Sequence, residues 1–201
     1  MKEQNRDGSW GNHTRTKGLN VLCPYPEGPR SFRTASTSLC VIGLLTSPLK
    51  EDPAVKASLD KALQYLLTTL PTLKRGDTRT VLGVWGHAYG LSALSRAARN
   101  LPADAPLREE LKKVASIQVK ALDQMADVQG GWGYYTFETF SKRPIGEPTS
   151  FLTATVLLAY KDAEQAFGLN AAPRLVPRAV ACRGKLRTPA GSYVYSLSQS
   201  F

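Results

Sequence analysis

His87 is the residue whose type most directly suggests acid–base chemistry. Imidazole has an ordinary pKa close to neutrality, so it can serve as a general base or as a metal ligand. His87 stands between Trp85 and Tyr89, near the start of a predicted helix that has few charges. A lone histidine in such a helix is also often hydrogen-bonded in the core, so both interpretations stay open at this point.

A run of aromatic residues further along the chain could line a ligand site. It comprises Trp132, Tyr134, Tyr135, Phe137 and Phe140. Aromatic faces attract apolar groups and cations, and they could stabilise a carbocation. Bracing of neighbouring helices is the alternative role for these rings. We predict that the following residues contribute to a binding site: Trp85, His87, Tyr89, Trp132, Tyr134 and Tyr135.

Acids and metal ligands are sparse around these candidates. Glu138 and Glu147 flank the aromatic run and could act as proton donors if the fold desolvates them. The three cysteines are far apart, and neither a Cys-x-x-Cys nor a His-x-x-x-His pair occurs. We therefore predict free cysteines, no bound metal and no cofactor, and we assign no catalytic residue.

Length and composition fit one domain over residues 1–201. The chain is 42% hydrophobic, but no apolar run approaches the roughly 20 residues of a membrane span. The first residues lack the apolar stretch of a signal peptide, which favours a cytoplasmic or membrane-peripheral location. The net charge is +10, and residues 174–187 hold five basic side chains and no acid. A solvated basic face explains this charge, an anionic membrane surface is a candidate partner, and the lack of nucleic-acid motifs disfavours nucleic acid.

All three tryptophans stand in a Gly-x-Trp-Gly frame, which indicates an internal repeat. The frames begin at Gly8, Gly83 and Gly130, and a degenerate copy, Gly191-Ser192-Tyr193, lies near the C-terminus. Residues 31–36, Ser-Phe-Arg-Thr-Ala-Ser, return as Ser-Phe-Leu-Thr-Ala-Thr at residues 150–155. We predict glycine turns between helical hairpins, with Trp10 and Trp132 largely buried in equivalent turns.

Six segments have helical character, over residues 31–47, 53–70, 85–101, 106–125, 148–167 and 173–187. Prolines stand at several of the predicted starts, where the missing amide proton costs nothing. The second and fourth segments are amphipathic, whereas the first, third and fifth carry few charges and many small residues. A helix that is apolar or small all round is expected to be buried on every side. The pattern predicts three hairpins, each of an inner and an outer helix.

Residues 4–10 match Gln-x-x-x-Gly-x-Trp, with Gln4, Gly8 and Trp10 at the defined positions. This pattern resembles the repeat of squalene–hopene and oxidosqualene cyclases, shared more loosely with protein prenyltransferase β-subunits. The resemblance implies an α/α-toroid, whose inner helices ring a central apolar cavity. It also implies that Gln4 caps the end of an adjacent helix and stacks near Trp10. Three hairpins would form about half of such a ring, so the remaining half or a second subunit is an expected partner.

The match is strict at one turn. Ala126, Arg79 and Arg187 replace the glutamine elsewhere, and the Asp-x-Asp-Asp acid of the cyclases is absent. We therefore expect a binding or scaffold module with a central apolar cavity, and an apolar or isoprenoid-like ligand. The alternative is a divergent cyclase-like enzyme whose general acid lies outside this chain.

Overall fold

All regular secondary structure in the described part of the chain is helical. The computed structural model describes residues 3–12, 26–75, 80–136 and 141–196. Its helices are α1 (Glu27–Thr46), α2 (Pro53–Thr69), α3 (Gly83–Arg99), α4 (Pro106–Met125), α5 (Ser150–Phe167) and α6 (Leu175–Lys185), with a 3₁₀ turn at Leu70–Thr72. Within these residues β-pairing is limited to isolated bridges. The predicted all-α class and the six helical segments are confirmed, with ends that differ by a few residues.

Local chemistry explains where two of the helices begin. Pro53 and Pro106 both occupy the first helical position, where no amide proton is needed. Asp52 accepts hydrogen bonds from the amides of Ala54 and Val55, which have no partner inside the helix. These starts are therefore set by the sequence itself.

A tertiary contact moves the start of α5 past the predicted position at Pro148. Thr149 is extended, because its amide donates to the carbonyl of Trp132 at 2.9 Å and is thereby held outside the helix. The other end of α5 follows the prediction. Gly168 is left-handed, with φ 70°, and its amide closes the last turn on the carbonyl of Glu164.

Three helices form one parallel layer, in which α3 contacts α1 on one side and α5 on the other. Ser31, near the start of α1, donates to the carbonyl of Leu82 just before α3. Arg99, at the end of α3, bonds Asp162 and Gln165 near the end of α5. The start of α1 therefore lies beside the start of α3, and the end of α3 lies beside the end of α5, so the three helices run in the same direction. Each of α2, α4 and α6 packs mainly against the helix that precedes it.

Within the described residues, burial is most extensive in the middle helix of this layer. Thirteen of the seventeen residues of α3 are buried, against seven of twenty in α1 and nine of eighteen in α5. The expectation that all three helices would be buried on every side is therefore wrong for α1 and α5. Each has a layer neighbour on one side only, so Phe32, Leu39 and Leu158 remain 41%, 47% and 61% exposed.

Three glycine turns share one backbone geometry, over residues 5–10, 127–132 and 188–193. In each turn, the amide of the first residue donates to the carbonyl of the fifth residue. The amide of the fourth residue, which is the glycine, donates to the carbonyl of the first residue. All six N···O distances lie between 2.8 and 3.0 Å. Gly8, Gly130 and Gly191 take the same left-handed position, with φ of 87°, 99° and 87°. The glycine frame thus marks a structural repeat at these three places.

The frame that begins at Gly83 is not such a turn. Gly83 is the first residue of α3 and Trp85 lies in its first turn, so the predicted turn between hairpins is wrong here. A Cβ atom at Gly83 would stand 3.2 Å from the carbonyl oxygen of Lys74. Glycine serves close packing at this position and not a left-handed conformation.

The two turn tryptophans differ in burial. Trp132 is fully buried, and its indole N–H donates to the carbonyl of Leu122 at 2.9 Å while the ring meets the edge of Tyr160. Trp10 packs against the core but is only half-buried. The prediction of burial is confirmed for Trp132, whereas Trp10 is more exposed than predicted.

A threonine hydroxyl of the following helix anchors each of these tryptophans. The amide of Trp10 donates to Oγ1 of Thr37 at 2.9 Å, and the amide of Trp132 donates to Oγ1 of Thr153 at 3.1 Å. Thr37, and not Thr34 as the repeated Ser-Phe-x-Thr motif indicated, is therefore the structural counterpart of Thr153. The alignment of the two helices by their Ser-Phe-x-Thr motifs therefore differs by about one helical turn from their alignment by structure.

Gln4 fastens the first turn to α2. Its amide nitrogen donates to the carbonyls of Gly8 and Ser58, both at 2.9 Å, and its oxygen accepts from the Ser58 hydroxyl. Ser58 lies inside α2 and not at its end, so the expected capping of a helix end does not occur.

Alanine at Gly130 should cost more stability than alanine at Gly191. Both substitutions force a side chain into the left-handed region, at roughly 1–2 kcal/mol. At Gly130 the new Cβ would also stand 2.8 Å from Cβ of Arg178, whereas at Gly191 the nearest atom is 3.8 Å away. We expect losses of about 3 kcal/mol for Gly130→Ala and about 1 kcal/mol for Gly191→Ala, measured by urea unfolding. Equal losses would contradict the close packing of the turn 127–132 on α6.

Candidate ligand-binding site

Six aromatic side chains touch one another across the beginnings of α3 and α5. We call them the aromatic cluster, which comprises Trp85, Tyr89, Tyr134, Tyr135, Phe151 and Tyr195. Trp85 is its centre, with ring centroids 5.9 Å from Tyr89, 5.7 Å from Phe151 and 6.5 Å from Tyr134. Tyr195 lies 5.4 Å from Phe151, and Tyr135 lies 4.8 Å from Tyr134. The rings of Tyr89 and Phe151 are within 15° and 19° of parallel to Trp85.

Helix geometry places the middle of the cluster. Trp85 and Tyr89 are four residues apart on α3 and therefore share one face. Phe151 is the second residue of α5. Because α3 and α5 are parallel neighbours whose starts are adjacent, Phe151 lies beside Trp85.

Pairing of loop backbones places the remaining tyrosines. The amide of Val81 donates to the carbonyl of Tyr134 at 2.8 Å, which brings the loop after Trp132 to the start of α3. The amide of Ser150 donates to the carbonyl of Tyr195 at 3.1 Å, which brings the C-terminal segment to the start of α5. Both pairings continue as single antiparallel bridges.

The aromatic cluster is neutral and partly open to solvent. Phe151 and Tyr195 are 40% and 41% exposed, and Trp85, Tyr89 and Tyr134 are half-buried. Burial raises the pKa of the Tyr135 and Tyr195 phenols, so both stay protonated at physiological pH. Such a surface can bind apolar groups and stack on flat ones, but it offers no group that exchanges protons near neutrality.

The carboxylates nearest to this region have structural partners. Glu147 is half-buried and accepts a hydrogen bond from the Ser196 hydroxyl at 3.1 Å, one residue after Tyr195. Asp127 accepts from the amides of Gln129 and Gly146. Burial raises the pKa of Asp127, against the opposing effect of those amides. Glu138, Phe137 and Phe140 lie outside the described residues.

The structure places His87 on the other side of α3 from the aromatic cluster. Its Nδ1 lies 2.6 Å from Oε1 of Gln118 in α4. Because the Gln118 amide nitrogen donates to the Val114 carbonyl, Oε1 accepts and Nδ1 carries the proton. The other nitrogen, Nε2, is buried without a hydrogen-bond partner among the described residues. Burial lowers the pKa of His87, although the bond to Gln118 opposes this shift, so the ring is neutral. This geometry favours packing over a role towards a ligand on the cluster.

The predicted site residues thus divide into two groups. Trp85, Tyr89, Tyr134 and Tyr135 come together, whereas His87 and the fully buried Trp132 lie apart in the helix packing. Sequence reasoning missed Phe151 and Tyr195. The position of Phe151 at the start of an inner helix was an available signal for it. The alternation Tyr193-Val194-Tyr195 indicated an extended segment but not its neighbour.

The described residues hold no group of three or more histidine, cysteine, aspartate or glutamate side chains that could bind a metal. Cys40 and Cys182 are free, and Cys23 is outside the described residues. In the same part of the chain, no helix is both long and apolar enough to span a membrane.

Comparison of the chain with protein-family models, curated proteins and solved structures gives no match. The resemblance to toroid cyclases therefore rests on Gln4, Gly8 and Trp10 alone.

His87 should make the fold sensitive to mild acid. Its pKa is lowered in the folded state, so the unfolded state binds more protons as the pH falls through the ordinary value near 6.5. The contribution of the neutral His87 ring to the free energy of unfolding is fully present above that pH and declines below it. His87→Asn keeps a donor for Gln118 but does not titrate, so its unfolding free energy should fall less than that of the unmodified chain between pH 7.5 and 5. Identical pH dependence in urea titrations would contradict a buried, neutral imidazole.

Proposed function

We propose that this chain is a binding module that holds an apolar, isoprenoid-like ligand against the aromatic cluster. The observation that carries the proposal is the contiguity of six neutral rings, several of them partly exposed. An elongated hydrocarbon that covers them removes apolar area from water at about 25 cal/mol per Å². The flat, near-parallel rings of Tyr89, Trp85 and Phe151 suit an unsaturated chain that lies across them.

We further propose an α/α-toroid-type arrangement, in which α1, α3 and α5 are inner helices. Its support is the parallel layer of these helices, the outer helices packed on them, and the repeated turn at 5–10, 127–132 and 188–193. Three hairpins would form about half a ring. The exposed apolar residues of α1 and α5 would then line a central apolar cavity or meet the rest of the ring, supplied by further chain or by a second subunit.

Binding is favoured over catalysis because no free acid stands at the cluster among the described residues. Protonation of an alkene or epoxide needs a strong, positioned proton donor. Asp127 is held by two amides, and Glu147 accepts from Ser196. The alternative function is that of a divergent terpenoid cyclase whose general acid lies outside this chain and meets the same aromatic cluster.

Removal of a ring from the cluster should weaken ligand binding. We expect farnesol to bind to the full chain, and Tyr89→Ala to weaken this binding threefold to tenfold, because one aromatic contact contributes on the order of 1 kcal/mol. Tyr65→Ala is the matched control, since Tyr65 is also half-buried on a helix but lies under Arg33. Calorimetric titration with farnesol measures the affinity, and the same titration with dodecanol measures the preference for the isoprenoid over a saturated chain.

Equal weakening by the two substitutions, or absence of farnesol binding, would overturn the assignment of the ligand face. Incubation of the chain with squalene, followed by gas chromatography, tests the alternative function. We expect no cyclic product. A polycyclic product would show that the chain is an enzyme.

A further inference from the structure

α6 presents an uncharged face to solvent. Its buried side consists of Leu175, Ala179 and Cys182, which pack towards the interior. The exposed residues on the opposite side share small or apolar side chains: Val176, Pro177, Val180, Ala181 and Gly184. Val180 is 56% exposed and Val176 is 38% exposed. A solvated helix face is normally polar, so this apolar stripe indicates a surface that contacts another molecule.

Cations border the stripe on both sides. At 3.6 residues per turn, Arg174, Arg178 and Lys185 fall along one edge of the stripe and Arg183 along the other. Arg187 follows directly after the helix. No aspartate or glutamate occurs from residue 165 to the end of the chain, so the segment that carries α6 has a clear excess of positive charge.

We propose that this face of α6 docks on an anionic lipid bilayer, with the helix parallel to the membrane plane. Short apolar side chains enter the boundary between headgroups and acyl chains. Arg178 donates to the Val128 carbonyl and Arg183 lies over the Tyr193 ring. The charged groups of Arg174 and Lys185 reach back to lipid phosphates, because their long stems allow the charge to remain in the headgroup layer. The charge excess supplies attraction, and the apolar stripe supplies shallow insertion.

A nucleic acid would fit this surface less well. Its phosphates would have to cover Val176 and Val180, while the cations would stand to the sides of the contact. Nucleic-acid surfaces place cations at the centre of the contact and need no exposed valines there. The apolar centre with a cationic border is what an anionic bilayer matches.

This proposal is independent of the ligand-binding function. The aromatic cluster lies at the starts of α3 and α5, whereas the stripe lies on the solvent side of α6. Each can therefore fail while the other stands.

Co-sedimentation with vesicles tests the charge requirement. The full chain should bind vesicles of phosphatidylcholine mixed with phosphatidylglycerol at low salt, release them at high salt, and leave pure phosphatidylcholine vesicles unbound. Arg174→Glu combined with Lys185→Glu should reduce the partition coefficient at least about tenfold. Lys112→Glu combined with Lys113→Glu makes the same change in net charge on exposed positions of α4 and should leave most binding intact. Equal loss in both double variants, or no binding to anionic vesicles, would overturn the proposal.

A second pair of variants tests insertion. Val180→Asp should weaken vesicle binding about as strongly as the double charge reversal on α6. Ile117→Asp, on α4 and 38% exposed, should not. Because both side chains are solvent-facing, neither substitution should unfold the chain. Far-UV circular dichroism of the two variants checks that their helix content is unchanged. Unchanged binding of Val180→Asp, or tighter binding to a DNA duplex than to anionic vesicles, would show that the valine face is not a lipid contact.

Discussion

The close approach of the turn 127–132 to α6 is the contact on which the second and third hairpins depend. At Gly130 the backbone lies against the backbone of Arg178, and no side chain fits between them. The left-handed glycine then directs the chain so that Trp132 is fully buried against α4 and α5. Two residues later, Tyr134 pairs with Val81 and reaches Trp85. One backbone contact therefore sets the spacing of two hairpins and also places a ring of the aromatic cluster.

The two ends of the parallel layer differ in chemistry. At the far end, the buried carboxylate of Asp162 receives Arg96 and Arg99 from α3 at 3.0 and 3.1 Å. Arg108 donates to carbonyls in the last turns of both α3 and α5, at Ala98 and Ala166. These charged hydrogen bonds hold the ends of the two helices side by side. At the other end, where α3 and α5 begin, Trp85 and Phe151 stack in the aromatic cluster, so the ionic and the aromatic contacts between these two helices lie at opposite ends of α3.

Exposure of apolar surface follows from the same architecture. Among the described residues, α3 is enclosed by α1, α5 and α4, whereas α1 and α5 each lack a second neighbour in the layer, and α6 is covered on one side only. The partly exposed aromatic cluster, the edges of the layer and the stripe on α6 are three distinct surfaces. We propose an apolar ligand for the first, further helices for the second and a lipid surface for the third.

Local patterns in the sequence were sufficient to predict the six helices, because hydrophobic periodicity, proline positions and glycine caps all act within a few residues. They also placed Trp85 and Tyr89 on one face, since spacing along a helix fixes direction. They could not decide that Gly83 begins a helix while Gly130 makes a turn. The same glycine frame suits both, and the difference lies in the backbone, which is left-handed at Gly130 with φ 99° and helical at Gly83. Nor could they bring Phe151 and Tyr195 to Trp85, because proximity between separate helices and loops is set by tertiary packing and backbone pairing.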